Sequence, residues 1–402
     1  MIWELAMKSM RYNLRINYLY SFFKDLNFTQ GLWMIYLASK GMSLTQLGIL
    51  EGIFHVTALV MEVPTGAIAD MLGRKTSRLI GRVFTIAFVV LLLTGNSFAV
   101  YALSFILCAF SYNLESGAAE AFLYDTLAYY GEEKRYAKLY GRVEGLYQGA
   151  QIVTLSIAGF LAVSDYRLPF LTTIAATLIA LVTGLFLIEP PCHTGPERKQ
   201  AGIWASFKRQ YIESFIALKA SKKLIYIILF SSLLFAVNTL AFFYLQNYWK
   251  GQGYPESVIG LALASGAFCG VLGGLLAHRI RTGQRRFLMY FPFLISVPLL
   301  FLTVSKVGFV VFAFLGFLDS MLFVIVSDYI NKLIESHVRA TIISVQSAVF
   351  SLCMIALFPL FGALSDALGM TTAFYILAAV ANIAVVLNLL LLAKKRRQQR
   401  NT

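Results

Sequence analysis

The sequence predicts an all-α membrane protein of twelve transmembrane helices, arranged as two pseudo-symmetric six-helix bundles. Three observations carry that expectation. Of the 402 residues, 58% are hydrophobic and only 13% charged, against about 25% charged in soluble globular domains. Apolar stretches of about 20 residues, enough to cross the hydrocarbon layer, recur along the whole chain. Lys and Arg are sorted to one side of those stretches. The net charge of +14 is therefore read as membrane topology, and no nucleic-acid partner is expected.

The first span, 14–39, contains "YLYSFFKDLNFTQGLWMIYL", with Lys24, Asp25, Asn27 and Gln30 inside an apolar and aromatic run. It is too long for a signal-peptide core and no small-residue cleavage site follows it, so it is read as retained. "SKGMS" ends it, and Ser43 is placed to cap the second helix. The following spans are 44–69, 77–95, 98–128, 140–163 and 167–188, then 223–249, 256–278, 287–304, 307–331, 340–364 and 370–393.

The longest polar interval separates spans six and seven. It opens with "IEPPCHTGPERKQ", whose prolines and glycine end the sixth helix. The expected organisation is a first bundle at 1–190, a linker at 191–222, a second bundle at 223–393 and a basic tail at 394–402. In the linker, Trp204, Phe207, Tyr211, Phe215 and Leu218 recur at helical spacing, with basic residues on other faces. Such a helix lies on the inner membrane surface or packs on protein.

If the N-terminus is cytoplasmic, Lys40, Arg167, Lys250 and Lys306 are external and Lys24 is intramembrane. The other 29 of the 34 Lys and Arg residues fall on the cytoplasmic side. A multi-pass protein of the plasma membrane with both termini cytoplasmic is expected. Cys108, Cys192, Cys269 and Cys353 have no metal-ligand spacing; neither metal nor cofactor is expected.

The chain repeats itself. "GAIADMLGRKTSR" stands between spans two and three, and "GLLAHRIRTGQRR" stands 208 residues on. "GFLAVSD" and "FGALSDALG" echo the same turn at the external ends of spans five and eleven, without its basic tail. Nested repeats of this kind mark secondary transporters. Gly66, Asp70, Gly73, Arg74 and Lys75 resemble the signature turn of the major facilitator superfamily, with Met71 in place of the usual Arg. "AFLYDTL" and "INKLIESHVRATIISVQS" resemble its bacterial drug-efflux branch. The antiporter signature of span five is half present: Gly145 and Gly149 fit, but Ala150 stands where proline is expected.

The resemblance implies a role for the turn. Asp70 would face the N-terminus of span eleven, where the helix dipole favours an anion, and Arg74 would pair with Asp125. Gly66 and Gly73 would permit close approach and a reversal. Together these would latch the inner side shut; the plainer reading is that the basic residues only enforce topology.

An ionised side chain at mid-membrane costs roughly 3 kcal/mol on insertion scales, yet this chain carries several. The resemblance implies that the middles of spans one, four, seven and ten line a central cavity. Asp25, Glu115 and Asp319 fall on three of these spans, and Asn238 on the fourth. Acids in a wet cavity of low dielectric can exchange protons near neutral pH, which makes them candidates for proton coupling and for meeting a cation. On a helix Lys24 points about 100° from Asp25, so it is expected to pair with an acid on a neighbouring span or to line the cavity. Glu120 lies about 140° around the helix from Glu115 and is expected to pair with a base such as Arg82 or Arg142. Phe22, Phe28, Tyr112, Phe242, Phe243 and Phe323 are candidate cavity aromatics, suited to a flat or cationic ligand.

No His-Glu metal motif, nucleophile elbow or phosphate loop appears, and no enzyme is expected. The expected function is proton-coupled transport by alternating access. The leading form is an antiporter exporting amphiphilic or cationic drug-like compounds. The alternative is a permease or exporter for one zwitterionic or anionic metabolite. The expected partners are the lipid bilayer, a small-molecule substrate and protons, with the protein acting as a monomer.

Overall fold

The computed structural model describes residues 2–190, 222–280, 284–334 and 339–401. The expected linker helix, Cys192 and the approach to span eleven at 335–338 lie outside the described residues. Among the described residues there is no strand, and thirteen α-helices follow one another. They are α1 (Ile2–Lys24), α2 (Trp33–Ser39), α3 (Leu44–Leu72), α4 (Arg74–Thr94), α5 (Phe98–Tyr129), α6 (Tyr136–Ser164) and α7 (Arg167–Leu185). After the linker come α8 (Lys222–Gly251), α9 (Glu256–Ala277), α10 (Gln284–Ser296), α11 (Val307–Leu333), α12 (Arg339–Leu368) and α13 (Met370–Asn401).

Ten of these, α3 to α9 and α11 to α13, are long and apolar enough to cross a membrane. The two remaining expected spans are interrupted. Span one is split into α1 and α2 by a non-helical stretch at 25–32. In span nine, α10 gives way to a 3-10 turn, Pro298–Phe301; Pro298 has no N–H to continue the α-helical ladder. The last helix, α13, runs on to Asn401, so the expected tail at 394–402 begins inside a helix rather than after one.

Local signals explain the well-formed ends. Ser43 and Gln46 form a reciprocal capping box at the start of α3. Between α3 and α4 the chain reverses at Gly73 with φ +95°, a conformation that glycine adopts without steric cost.

The two halves pack alike: α3 lies on α5 as α9 lies on α11. Across the halves, α3 packs on α12 and α6 on α9. Those contacts are closest at one end. A Cβ built on Gly48 of α3 would sit 2.5 Å from the Phe358 carbonyl oxygen, and one on Gly159 of α6 only 2.2 Å from that of Glu256. Towards the other end the helices part. A Cβ on Gly52 would find its nearest neighbour at 3.6 Å, and one on Gly66, Gly145 or Gly149 would meet nothing within 4 Å. The expectation that Gly66 serves a tight helix approach is therefore not met; the close backbone approaches of α3 and α6 to the other half lie at their far ends. The splayed end carries Arg74, Lys75 and Lys138 and is called the basic face below; the interlocked end is the far face.

Candidate substrate cavity and gates

The break in span one places polar groups in the middle of the bundle. Every freed backbone group inside a membrane protein needs a partner, and here side chains supply them. Asn27 Oδ1 accepts from the Thr29 backbone N–H (3.0 Å) and hydroxyl (2.7 Å), and the Phe28 N–H donates to Thr173 Oγ1 on α7 (3.0 Å). Because α1 stops at Lys24, the 100° argument fails. The chain unwinds, and Lys24 Nζ donates to Asp25 Oδ1 at 2.5 Å. The charge pair is satisfied by itself rather than by another span.

Around the break lies a cavity lobe of about 540 Å³ walled by the first half, with Lys24, Asp25, Arg82 and Glu115 among its lining. A second lobe of about 350 Å³ lies against the second half and contains Asn238 and Asp319. The lobes share Gln30, Tyr147, Gln151 and Phe243, and the Gln151 amide donates to Gln30 Oε1 at 2.7 Å. The first lobe extends along Glu120, Tyr140 and Glu144, towards the end where the helices part.

Glu115 is buried in a network. Its Oε1 accepts from Arg78 Nε (3.0 Å) and its Oε2 from the Tyr20 hydroxyl (2.7 Å). Arg78, only 1% exposed, also donates to Asn17 Oδ1 (2.7 Å) and lies against the Tyr20 and Phe122 rings. Arg82 reaches Glu115 only at 3.6 Å. Asp319 Oδ1 accepts from the Asn238 amide at 2.7 Å. Glu120 takes the Tyr140 hydroxyl (3.1 Å) rather than Arg82 or Arg142 as expected; Arg82 is turned inward to Glu115.

Of the expected aromatics, Tyr112 lines the first lobe, Phe242 the second, and Phe243 both. Phe22 packs edge-on with Phe23, Phe28 joins the buried core, and the exposed Phe323 packs on Phe235. Phe54, Phe312 and Tyr147 line the lobes in their place.

On the basic face Arg74 binds Asp70 at 2.5 Å and lies 3.7 Å from Asp125. The N-terminus of span eleven, expected opposite Asp70, adjoins residues outside those described. An unanticipated acid completes this corner. Glu189, just beyond α7, accepts from the backbone N–H groups of Arg74 (2.6 Å) and Lys75 (2.7 Å), and so caps α4. The Lys75 ammonium donates to the Leu185 carbonyl (2.8 Å).

The far face is held by two further acids. Asp366 of α12 accepts from the Leu44 N–H (3.1 Å), the Thr45 N–H (2.8 Å) and the Thr45 hydroxyl (2.6 Å), capping α3 from the opposite half. Glu256 of α9 binds Lys250 at 2.5 Å and accepts from the Tyr166 hydroxyl of the first half.

A bundle sealed at one end, parted at the other and hollow between its halves is the architecture of a membrane transporter, not of an enzyme. The chain belongs to the Major Facilitator Superfamily, whose profile matches residues 17–357 and 253–402. It is 24% identical over 370 residues to the MFS-type transporter YxaM of Bacillus subtilis (strain 168), covering 89% of this chain and 90% of that one. It is also 24% identical over 157 residues, 39% of each chain, to the quinolone resistance protein NorA of Staphylococcus aureus (strain Mu50 / ATCC 700699). Among solved structures, the nucleoside transporter NupG superposes with a TM-score of 0.70 at 14% identity, covering 94% of this chain and 98% of that one.

Proposed function

We propose that this transporter is a proton-coupled antiporter that exports amphiphilic solutes from the cytoplasm by alternating access, with its basic face cytoplasmic. Positive residues gather on the cytoplasmic side of membrane proteins, so the parted end is the one that loads. The partial likeness to the quinolone resistance protein NorA supports export.

The observation that carries proton coupling is the setting of Asp319. Asp25 has Lys24 and Glu115 has Arg78, whereas the partner of Asp319 is the neutral Asn238 amide. An acid in a cavity with no cation beside it is free to exchange its charge for a proton as the cavity changes sides. Phe242, Phe243 and Phe312 beside it offer apolar surface to the solute.

In proteoliposomes an imposed proton gradient drives solute uptake against its own gradient, and Asp319→Asn abolishes that response while leaving solute exchange intact. Transport indifferent to the proton gradient, or unchanged in Asp319→Asn, overturns the reading. A second reading, a carrier for one small metabolite, is favoured by the directional amides of Asn17, Asn27, Gln30 and Gln151 in the walls.

A further inference from the structure

We infer that the transported solute is amphoteric: an anionic group, a carboxylate or a phosphate, docks on Arg82 and Lys24 in the first lobe, while a hydrogen-bond-donating end meets Asp319 and Asn238 in the second. The inference rests on the transport reading above and names the solute class for that cavity.

Arg82 is buried without a full set of acceptors. This guanidinium is 6% exposed and lines the first lobe. The carboxylate nearest it is already committed: Glu115 Oε1 serves Arg78 and Oε2 serves Tyr20. Arg82 Nη2 stands 3.6 Å from that Oε2, beyond hydrogen-bond range, and Arg82 Nε has no hydrogen-bond partner among the described residues. Arg78, one turn earlier, has what Arg82 lacks: a short carboxylate bond, an amide acceptor and two aromatic rings. A buried donor left without an acceptor is costly, and a planar guanidinium is matched in shape to carboxylate and phosphate.

Beside the break Lys24 and Asp25 offset one another and Arg78 with Arg82 exceeds Glu115 by one positive charge, while Glu51, Glu120 and Glu144 carry negative charge elsewhere on the lobe wall. Glu51 stands 3.7 Å from the His55 ring on α3, beyond hydrogen-bond range. Glu120 and Glu144 lie further along the wall, with Glu120 held by Tyr140 and Glu144 by Gln148. A cationic group placed beside Arg82 would bring its charge against Arg78 and Arg82 together.

The second lobe has the opposite character. Asp319 is an acid, and the Asn238 Oδ1 atom is a buried acceptor with no partner among the described residues. The unpartnered acceptor stands there and the unpartnered guanidinium nitrogen in the first lobe, and the lobes are contiguous through Gln30 and Gln151. Volumes of about 350 and 540 Å³ suit a small organic molecule spanning both.

The test is equilibrium binding to the full-length purified protein, with no gradient. It uses three probes on one indole scaffold: tryptophan with both charges, indole-3-propionate with the carboxylate alone, and tryptamine with the ammonium alone. Tryptophan is expected to bind best and tryptamine worst. Arg82→Gln is expected to weaken tryptophan and indole-3-propionate about 10- to 100-fold, the loss of a charged hydrogen bond, and to spare tryptamine. Lys24→Met acts in the same direction and decides the matter if Arg82→Gln does not fold. Tryptamine binding as tightly as the acids, no binding by either acid, or acid binding indifferent to both variants overturns the inference. Because nothing is transported in this assay, a failure of proton coupling leaves its result untouched, and the reverse holds as well.

Discussion

Replacing Gly159 with alanine tests whether the far face is a gate. In the structure the added methyl would lie 2.2 Å from the Glu256 carbonyl oxygen, 2.8 Å from its carbonyl carbon and 2.9 Å from Ser257 Cα. Ordinary contact begins near 3.4 Å. The obstacle is backbone on the opposing helix, so no side chain can turn aside, and α6 must back away from α9 by about an ångström. Overpacking of this kind costs typically 1–3 kcal/mol. At about 2 kcal/mol the sealed arrangement loses roughly thirty-fold against one in which the far face is open. The reporter is Ala162→Cys, one turn along α6 and 2% exposed, in a background without the four native cysteines. A membrane-impermeant maleimide is applied from the far side. Labelling is expected to rise at least tenfold in Gly159→Ala. Gly145→Ala is the control, since its methyl meets nothing within 4 Å, and it should label like the parent. If Gly159→Ala is abundant and monodisperse yet labels at the parental rate, the far face does not open between α6 and α9 and the gate argument is refuted.

Two further outcomes follow from the same contacts. Asp366→Ala removes three hydrogen bonds between the halves; losing a cap is worth about 1 kcal/mol, so labelling at Ala162→Cys should rise about fivefold, and no rise would show that Asp366 does not help to hold the gate. Arg78→Leu leaves the buried Glu115 carboxylate short of its closest cation, a loss of about 3–5 kcal/mol. The purified variant should therefore unfold at a markedly lower temperature, and Arg78→Leu combined with Glu115→Leu should recover part of that loss.

Much of the bundle was legible because long apolar runs leave little else for the chain to do in lipid. What the sequence hid were contacts that depend on a neighbour. Nothing at Asp25 itself stops a helix; the break at 25–32 is stabilised by Asn27 and Thr29 from within and by Thr173 from α7. Helical spacing therefore hides the Lys24–Asp25 pair, although Lys24 does line the cavity, one of its two expected placements. Arg78 enters the sequence reading only as a topology charge and Arg82 beyond that only as a partner for Glu120, yet Arg74, Arg78 and Arg82 recur every four residues. That spacing puts all three on one helix face, and two of them turn to Glu115. This stripe was a readable signal. Glu189 carried no comparable signal, since it looks like a helix ending until α7 is seen to finish beside the first turn of α4. Phe28 and Phe323 failed as cavity residues for a related reason: aromatic residues are abundant on these spans, and sequence depth does not say which way a ring faces.

At the far face, the two acids that join the halves come from the same half. Asp366 and Glu256 both belong to the second half, and both take donors from the first. At the basic face, the Asp70, Asp125 and Glu189 contacts with Arg74 and Lys75 lie within the first half alone. Closure of the basic face would therefore have to make new bridges while the far-face clasps let go. The strength of those clasps suits such an exchange. Asp366 sits at the surface, where a capping interaction is worth about 1 kcal/mol and an ion pair no more than that. A few such contacts hold one arrangement by a margin that a bound solute or a single proton can reverse through its differential affinity for the two states. Had the far face been closed by a dry pair such as Arg78 and Glu115, the cost of breaking it would exceed what those ligands supply. The buried Arg78–Glu115 pair braces the inside of the first half, whereas the clasps between the halves are hydrogen bonds rather than ion pairs.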